Sequence, residues 1–275
     1  MEAIPVSIIV MTKNEERNLA KCLRTLARFD EVFVVDSDST DKTVAIAEEM
    51  GAKVIDFRWN GGYPKKKQWC LENLPFRHDW VLYVDADEEV YAELAEEIAR
   101  LMRAGPKHAG YFIAADFRFI GKVLRHGHSN CKLALLDRHR TCFREFDDLD
   151  AANMWEVEGH YQPHVNGTVG IMKSRMLHSD DKTLFHYFDR HNRYSDWEAV
   201  VRRNAALASS QETQLAGRRV LKQMFNAMPF KGLLAFVHSY FLRLGFLDGA
   251  PGFHFAMARG FYYWQVGIKC KERRN

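Results

Sequence analysis

Short apolar runs alternate with segments of helical periodicity through the first hundred residues, and this alternation constrains the fold more than any other feature. Residues 6–11 form a nearly continuous β-branched run, which is typical of a strand buried on both faces of a parallel sheet. Apolar residues within 15–28 then recur at helical spacing. Because the strand-then-helix pattern repeats, we predict right-handed βαβ units in an open α/β sheet.

The same periodicities predict the other elements. We expect strands over 6–11, 31–36, 52–57, 79–84, 111–119 and 133–136, helices over 15–28, 39–50, 65–74 and 94–102, and a mainly helical chain beyond residue 175. The predicted fold is therefore an open, mainly parallel sheet followed by a helical C-terminal region.

Polar and acidic residues follow three of the predicted strands, at 12–16, 36–41 and 85–88. Ligands of open α/β sheets bind beyond the carboxyl ends of the strands, so these segments are the candidate site. The sequence contains no GxGxxG and no GxxxxGK[ST] segment, so a glycine-rich loop is not expected to hold phosphate. A cation is then needed between these carboxylates and a phosphorylated ligand.

Asp85 and Asp87 follow a buried strand directly. In extended chain, residues two apart share a face, so the two carboxylates can act together. Hard oxygen ligands suit Mg²⁺ or Mn²⁺, with a diphosphate and water at the remaining positions. The alternative is a solvated turn with ordinary acids.

Three blocks carry a resemblance to a known family: 7–16 (SIIVMTKNEE), 34–43 (VVDSDSTDKT) and 80–88 (WVLYVDADE). They resemble the family-two inverting glycosyltransferases of the GT-A fold, and within that family the lipopolysaccharide-core β-glucosyltransferases. The resemblance implies a GT-A catalytic domain over 1–200, with a nucleotide-sugar half at 1–105 and an acceptor half at 106–200. A basic, aromatic helical region would occupy 201–275.

The resemblance also implies a donor site built from the strand ends and one helix: Thr12, Asn14, Glu15, Asp36, Asp38, Lys67 and Asp85. Asp36 would receive the base or ribose, Asp85 would approach the ribose or diphosphate, and Asp87 would ligate the metal. Structural alternatives exist. Asn14 or Glu15 can cap the first helix, Asp36 and Asp38 can hydrogen-bond a loop, and residues 65–67 can form a solvated helix face. Relatives often carry glycine where this chain has Asp38.

The base and a third metal ligand are sought in the acceptor half. An inverting transfer needs a base for the acceptor hydroxyl proton. Glu156 and Glu158 are the candidates, and Glu158 matches the relatives' motif better. His178 is the candidate third metal ligand, against the alternative of a structural or exposed histidine.

The resemblance implies transfer from a UDP- or GDP-linked sugar, with Mg²⁺ or Mn²⁺, to a lipopolysaccharide-core or other lipid-linked glycan acceptor. Transfer to a protein or peptide side chain, or nucleotide-sugar binding without catalysis, are the alternatives. The catalytic candidates are thus Glu158 and Asp87.

Charge and aromatic residues are concentrated in the tail. Residues 217–275 hold ten Lys or Arg, two Asp or Glu and twelve aromatics, whereas residues 1–216 carry a net charge of −5. This composition favours an anionic membrane surface over nucleic acid. Five scattered cysteines without a close pair, and no predicted signal peptide, favour a cytoplasmic protein. We expect peripheral attachment at the inner face of the cytoplasmic membrane.

Overall fold

The protein is described here by a computed structural model that covers residues 2–127, 129–145, 148–149, 156–158, 162–203 and 230–272. It divides into two units. The first comprises Met1–Arg118, Asn130–Arg144 and Glu156–Asp181, and the second comprises Phe119–Ser129, Glu145–Trp155 and Lys182–Asn275. Residues 217–229 and 273–275 of the predicted tail lie outside the described residues.

Eleven strands are present in the described residues: β1 (Ile4–Thr12), β2 (Phe29–Asp36), β3 (Lys53–Asp56), β4 (Trp80–Asp85), β5 (Glu88–Val90), β6 (Gly110–Phe119), β7 (Lys122–Leu124), β8 (Asn130–Asp137), β9 (Thr141–Cys142), β10 (His164–Val165) and β11 (Val169–His178). The main sheet of the first unit has the strand order β3-β2-β1-β4-β8-β6-β11-β5. Strands β9 and β10 form a separate antiparallel pair.

One half of the sheet is parallel and the other is mixed. Strands β3, β2, β1 and β4 are all parallel, as predicted. Strand β8 runs antiparallel to both β4 and β6, and β5 runs antiparallel to β11. The predicted parallel sheet is therefore found over β3, β2, β1 and β4 but not over β8 and β5. A parallel pair needs a long crossover, usually a helix, and no helix lies between β6 and β8 in the described residues.

The described part of the first unit contains four α-helices: α1 (Leu19–Thr25), α2 (Thr43–Glu49), α3 (Lys66–Asn73) and α4 (Ala92–Ala104). Strand β1 is buried along nearly its whole length, and α4 buries Leu94 and Ile98 in the same core. The helix ends at Gly105, whose φ of 80° is readily adopted by glycine. The four predicted helices are thus confirmed, each with shorter or shifted ends.

In its described residues the second unit contains β7 and three helices, α5 (Leu184–Arg203), α6 (Lys231–Val237) and α7 (Ala250–Lys269). A π-helical turn, His238–Leu242, follows α6, and a 3-10 turn, Gly245–Asp248, precedes α7. The chain leaves helical geometry at Leu244, which has a φ of 59°. None of the helices in the described part of the chain is long and apolar enough to cross a membrane.

Candidate functional site

The carboxyl ends of β1 and β2 are joined through side chains. Thr12 Oγ1 donates to Asp36 Oδ1 at 2.7 Å, and both residues are buried. The other oxygen of Asp36 accepts the backbone N–H of Ser39 at 2.8 Å, and the Ser39 hydroxyl donates to Oδ1 at 2.6 Å. Contacts with the following loop thus fix Asp36 at the end of β2. Such hydrogen bonding to a loop is the structural role that the sequence allowed for Asp36 as the alternative to ligand binding.

Lys66 closes the same corner of the sheet from helix α3. Its Nζ donates to the Thr12 carbonyl at 3.0 Å and to the Ser37 hydroxyl at 2.6 Å, and the residue is only 1% exposed. Burial lowers the pKa of Lys66 to about 8. Lys65 is equally buried, so the interpretation of both lysines as a solvated helix face was wrong. The helical periodicity of the sequence cannot show that the end of β1 lies against the first turn of α3.

Asn14 and Asp38 both adopt left-handed backbone conformations, with φ of 55° and 56°. The side-chain oxygen Oδ1 of Asn14 accepts the backbone N–H of Thr40 at 2.8 Å, so the loops after β1 and β2 are joined by a hydrogen bond. Asp38 is exposed at the turn. Glycine adopts this positive φ readily, and aspartate is among the residues that tolerate it.

Glu15 and Asn18 connect the first loop to the end of β11. The Asn18 amide donates to Glu15 Oε2 at 2.9 Å and to Asp180 Oδ1 at 3.0 Å, while its oxygen accepts the Asp181 N–H at 2.9 Å. The backbone N–H of Glu15 donates to the Thr43 hydroxyl at 2.8 Å. Glu15 therefore organises the loop, and Asn18 is a contact that the sequence analysis missed.

Asp85 ends β4 beside a lysine from β8. Lys132 Nζ lies 3.1 Å from Asp85 Oδ2 and also bonds to Glu88. Burial and the charge of Asp87 raise the pKa of Asp85, but Lys132 and Lys67 outweigh them and hold that pKa below its ordinary value. Burial raises the pKa of Glu88 to about 7. Asp85 is therefore an anion held between two lysines.

Asp87 and His178 are brought together, as the sequence analysis predicted that metal ligands would be. His178 Nδ1 lies 3.3 Å from Asp87 Oδ1, and the Ser179 N–H donates to the Asp87 carbonyl at 2.8 Å. The chain turns at Ala86 and Asp87, so the extended-strand argument for a shared face with Asp85 does not apply. Among the described residues no group of three or more candidate ligands is assembled.

Glu158 lies at the amino terminus of α3. Its two carboxylate oxygens accept the backbone N–H groups of Lys67 at 2.7 Å and Gln68 at 3.0 Å, and Lys67 Nζ donates to the Glu158 carbonyl at 3.0 Å. Glu158 is 0% exposed, and burial raises its pKa. The Glu156 carbonyl accepts the Lys66 N–H at 2.7 Å, and its partly exposed carboxylate lies 3.9 Å from Lys13 Nζ.

The sequence analysis missed Lys66, Lys132 and Glu88 as members of this cluster. Glu88 could have been included because it continues the acidic block after β4. Lys132 carries no local signal, because it reaches Asp85 only through the antiparallel pairing of β8 with β4. The described site is thus an acidic strand edge with Lys132 beside Asp85 and Glu88, and with the buried Lys66 at the ends of β1 and β2.

Comparison with known proteins gives consistent matches. A family model described as "Glycosyl transferase family 2" matches residues 7–154. An uncharacterized glycosyltransferase of Rickettsia felis is 48% identical over 94 residues, which are 34% of this chain and 32% of that protein. The lipopolysaccharide core biosynthesis glycosyltransferase LpsC of Rhizobium meliloti is 32% identical over 126 residues, 43% and 44% of the two chains. The aligned region thus spans less than half the length of these curated relatives.

Solved structures are similar at lower identity. Staphylococcus aureus TarS in complex with UDP has a TM-score of 0.44 at 15% identity, with 100% of this chain and 93% of that chain covered. Glucosyl-3-phosphoglycerate synthase from Mycobacterium tuberculosis, in complex with Mn²⁺, UDP and glucosyl-3-phosphoglycerate, has a TM-score of 0.32 at 20% identity, with 41% and 44% covered.

The family model covers more than half of the chain, and it includes all three sequence blocks that carried the resemblance. The predicted resemblance and the GT-A α/β fold class with C-terminal helices are thereby confirmed. This chain belongs to glycosyl transferase family 2.

Proposed function

We propose that this chain is an inverting glycosyltransferase that moves a sugar from a UDP- or GDP-linked donor to a lipopolysaccharide-core or other lipid-linked glycan. The observation that carries the proposal is the cluster at the carboxyl edge of β1, β2 and β4, where Thr12 fixes Asp36, Lys132 lies 3.1 Å from Asp85 and His178 lies 3.3 Å from Asp87. Ligands of open α/β sheets bind at this edge.

The donor would be bound by side chains at the ends of β2 and β4. Asp36, fixed by Thr12, offers a carboxylate to the base or ribose. Asn14, Glu15 and Asp38 shape the loops around it. Lys67 and Lys132 place positive charge beside Asp85, where the ribose and diphosphate would lie, and charge of this sign stabilises a departing diphosphate.

Asp87 and His178 would hold Mg²⁺ or Mn²⁺. A carboxylate and an imidazole nitrogen 3.3 Å apart fit a divalent cation whose other ligands come from the donor diphosphate and water. The structure of the Mycobacterium tuberculosis synthase contains Mn²⁺ with UDP, which supports this use of a metal within similar enzymes. The bound cation would offset negative charge on the leaving nucleoside diphosphate.

The base that takes the acceptor hydroxyl proton is proposed to be Glu158 or Glu156. Both oxygens of Glu158 are occupied by backbone N–H groups of α3, so Glu158 would need to release one of them to accept a proton. Glu156 has the more exposed carboxylate of the two. The contacts therefore favour Glu156, while the motif of the relatives favours Glu158.

The acceptor is proposed from the relative in Rhizobium meliloti, which is named for lipopolysaccharide core biosynthesis. A lipid-linked acceptor lies in a membrane, and the basic, aromatic tail fits attachment to an anionic surface. We place the enzyme at the inner face of the cytoplasmic membrane for this reason.

Slow hydrolysis of the donor tests the proposal without a known acceptor. Purified protein is incubated with UDP- and GDP-linked hexoses and Mn²⁺, and the released nucleoside diphosphate is measured. Wild type is expected to release it, and Asp85→Asn is expected to reduce the rate at least about tenfold. Asp79→Asn, at the opposite end of β4, is the matched control. If neither donor class is hydrolysed or bound, the chain is not a transferase of this type.

A further inference from the structure

Helix α7 exposes large apolar side chains along one face. Five residues at helical spacing form one stripe and are 39% to 53% exposed: Phe253, Met257, Phe261, Trp264 and Ile268. We call them the outer stripe. The buried face combines small residues, Gly252, Ala256, Ala258 and Gly260, with Phe255 and Val266. A helix on a water-facing surface has its polar residues outward, whereas an outward apolar face is typical of helices in contact with lipid.

Helix α6 packs closely against the same helix. A Cβ on Gly232 would lie 2.6 Å from the Gly260 carbonyl oxygen and 3.0 Å from Trp264 Cβ, so no larger residue fits at this crossing. Leu233 follows Gly232 and is exposed. Further exposed apolar residues continue through the turns between the helices: Phe241, Leu242, Leu244, Phe246 and Leu247. The apolar surface is therefore shared by two helices and their connection.

The charges in this region suit an anionic surface. Residues 230–272 contain five Lys or Arg and two Asp or Glu, and one of the basic groups, Lys269, is held by Asn192, Ser195 and Asp196 of α5. One of the acids, Asp248, is buried and accepts the backbone N–H groups of Arg125 and His126. Arg243 is exposed beside the apolar turn residues. Basic residues that border an apolar helix face are the pattern of helices that lie in the plane of an anionic bilayer.

We propose that α7 lies along the surface of an anionic lipid bilayer, with the outer stripe inserted at the boundary between headgroups and acyl chains. The role of this attachment rests on the proposed function, because the attachment would bring the enzyme to a lipid-linked acceptor in such a bilayer. The insertion itself depends only on the residues of the second unit. It predicts that binding has an apolar part, which salt does not screen, in addition to an electrostatic part.

Vesicle flotation of the full chain, without donor or acceptor, tests the insertion. The vesicles are phosphatidylcholine alone and phosphatidylcholine with about 30% phosphatidylglycerol. Wild type is expected to float with the anionic vesicles and to keep part of this binding at about 0.5 M NaCl. The double variant Phe261→Ser/Trp264→Ser is expected to lower the partition coefficient at least about tenfold.

A matched control removes exposed apolar residues from the first unit. Met50→Ser/Ile171→Ser changes residues that are 37% and 61% exposed and is expected to float within about twofold of wild type. A second stripe variant, Phe253→Ser/Ile268→Ser, repeats the test at the two ends of α7. Thermal unfolding of each variant shows that the fold is retained.

Equal flotation of the stripe variants and the control would overturn the proposal. So would a sedimentation result in which wild type is a dimer that does not float and the stripe variants are monomers, because the stripe would then be a contact between two copies. Binding of UDP and of GDP, measured on the same samples, separates the two claims. Flotation without nucleotide binding would refute the proposed function alone, and nucleotide binding without flotation would refute the insertion alone.

Discussion

Replacing Lys66 by Met removes a buried cation that joins the ends of β1 and β2. Its Nζ is the donor to the Thr12 carbonyl at 3.0 Å and the Ser37 hydroxyl at 2.6 Å. Met keeps most of the apolar part of the lysine side chain, so the variant should lose stability mainly because these two hydrogen bonds are removed. Each buried acceptor that loses its donor lowers the free energy of unfolding by about 1–3 kcal/mol. The variant no longer buries a charge, and this gain offsets part of the loss from the two acceptors. We expect a net loss of about 2 kcal/mol at pH 7, or about 4–8 °C in Tm.

The pH dependence of this loss identifies its cause. Burial lowers the pKa of Lys66 from 10.5 to about 8. Between these values the unfolded chain holds a proton that the folded chain has released, so wild-type stability rises with pH across this window. The rise is up to about 3 kcal/mol and is absent from the variant. The penalty of Lys66→Met should therefore be smallest below pH 8 and should grow toward pH 10.

Urea unfolding of wild type, Lys66→Met and the exposed control Lys107→Met at pH 7 and about pH 9.5 measures both effects. Lys107→Met is expected to change stability by less than about 0.5 kcal/mol at either pH. If the Lys66→Met penalty is absent, or is the same at both pH values, Lys66 is not the buried, proton-releasing link described here.

Three further outcomes follow from individual contacts. Burial raises the pKa of Glu31, but bonds from Lys53 and Ser7 outweigh it and hold that pKa at about 2. Glu31→Gln should thus lose about 2 kcal/mol at pH 7 by urea unfolding, a loss that shrinks as pH falls from about 4.5 toward 2. In donor turnover assays, one of the variants Glu156→Gln and Glu158→Gln, the one that lacks the base, should keep nucleotide binding and lose at least about 10²-fold in kcat. A kcat equal to that of wild type in both variants would exclude both residues as the base. Asp38→Val should lower Tm through a strain of about 1–2 kcal/mol at its positive φ, whereas Asp38→Gly should not.

The parallel half of the sheet could be predicted because its strands and helices follow one another in sequence. Strands β1, β2 and β4 are short apolar runs, and their polar ends mark the ligand edge. Alternating periodicity therefore predicted both the strands and the position of the candidate site. Asp87 and His178 were proposed together from the resemblance, and they lie in contact.

The mixed half of the sheet could not be predicted in the same way. Strand β11 carries Lys173 and Arg175 among its apolar residues, and it is held in the sheet by pairing with β6 and β5. Such strands are defined by partners distant in sequence. The same limit applies to Lys132, whose position beside Asp85 depends on the register between β4 and β8.

The buried lysines show a second limit of local patterns. A run of three lysines at a helix start indicates a solvated face, because lysine is almost never fully buried without a partner. Here the partners of Lys66 are the carbonyl of Thr12 and the hydroxyl of Ser37, both at strand ends far away in sequence. Only the assembled sheet brings them together.

Nucleotide binding with and without metal tests the central claim most directly. UDP and GDP are titrated into wild type, Asp87→Asn and the control Asp79→Asn by calorimetry, in Mn²⁺ and in EDTA. The account predicts that one nucleotide binds wild type and Asp79→Asn at least about tenfold more tightly with Mn²⁺, and that Asp87→Asn loses this gain while its Tm stays within about 2 °C of wild type. Equal affinities of Asp87→Asn and wild type in Mn²⁺, or no binding of either nucleotide to wild type, would contradict it.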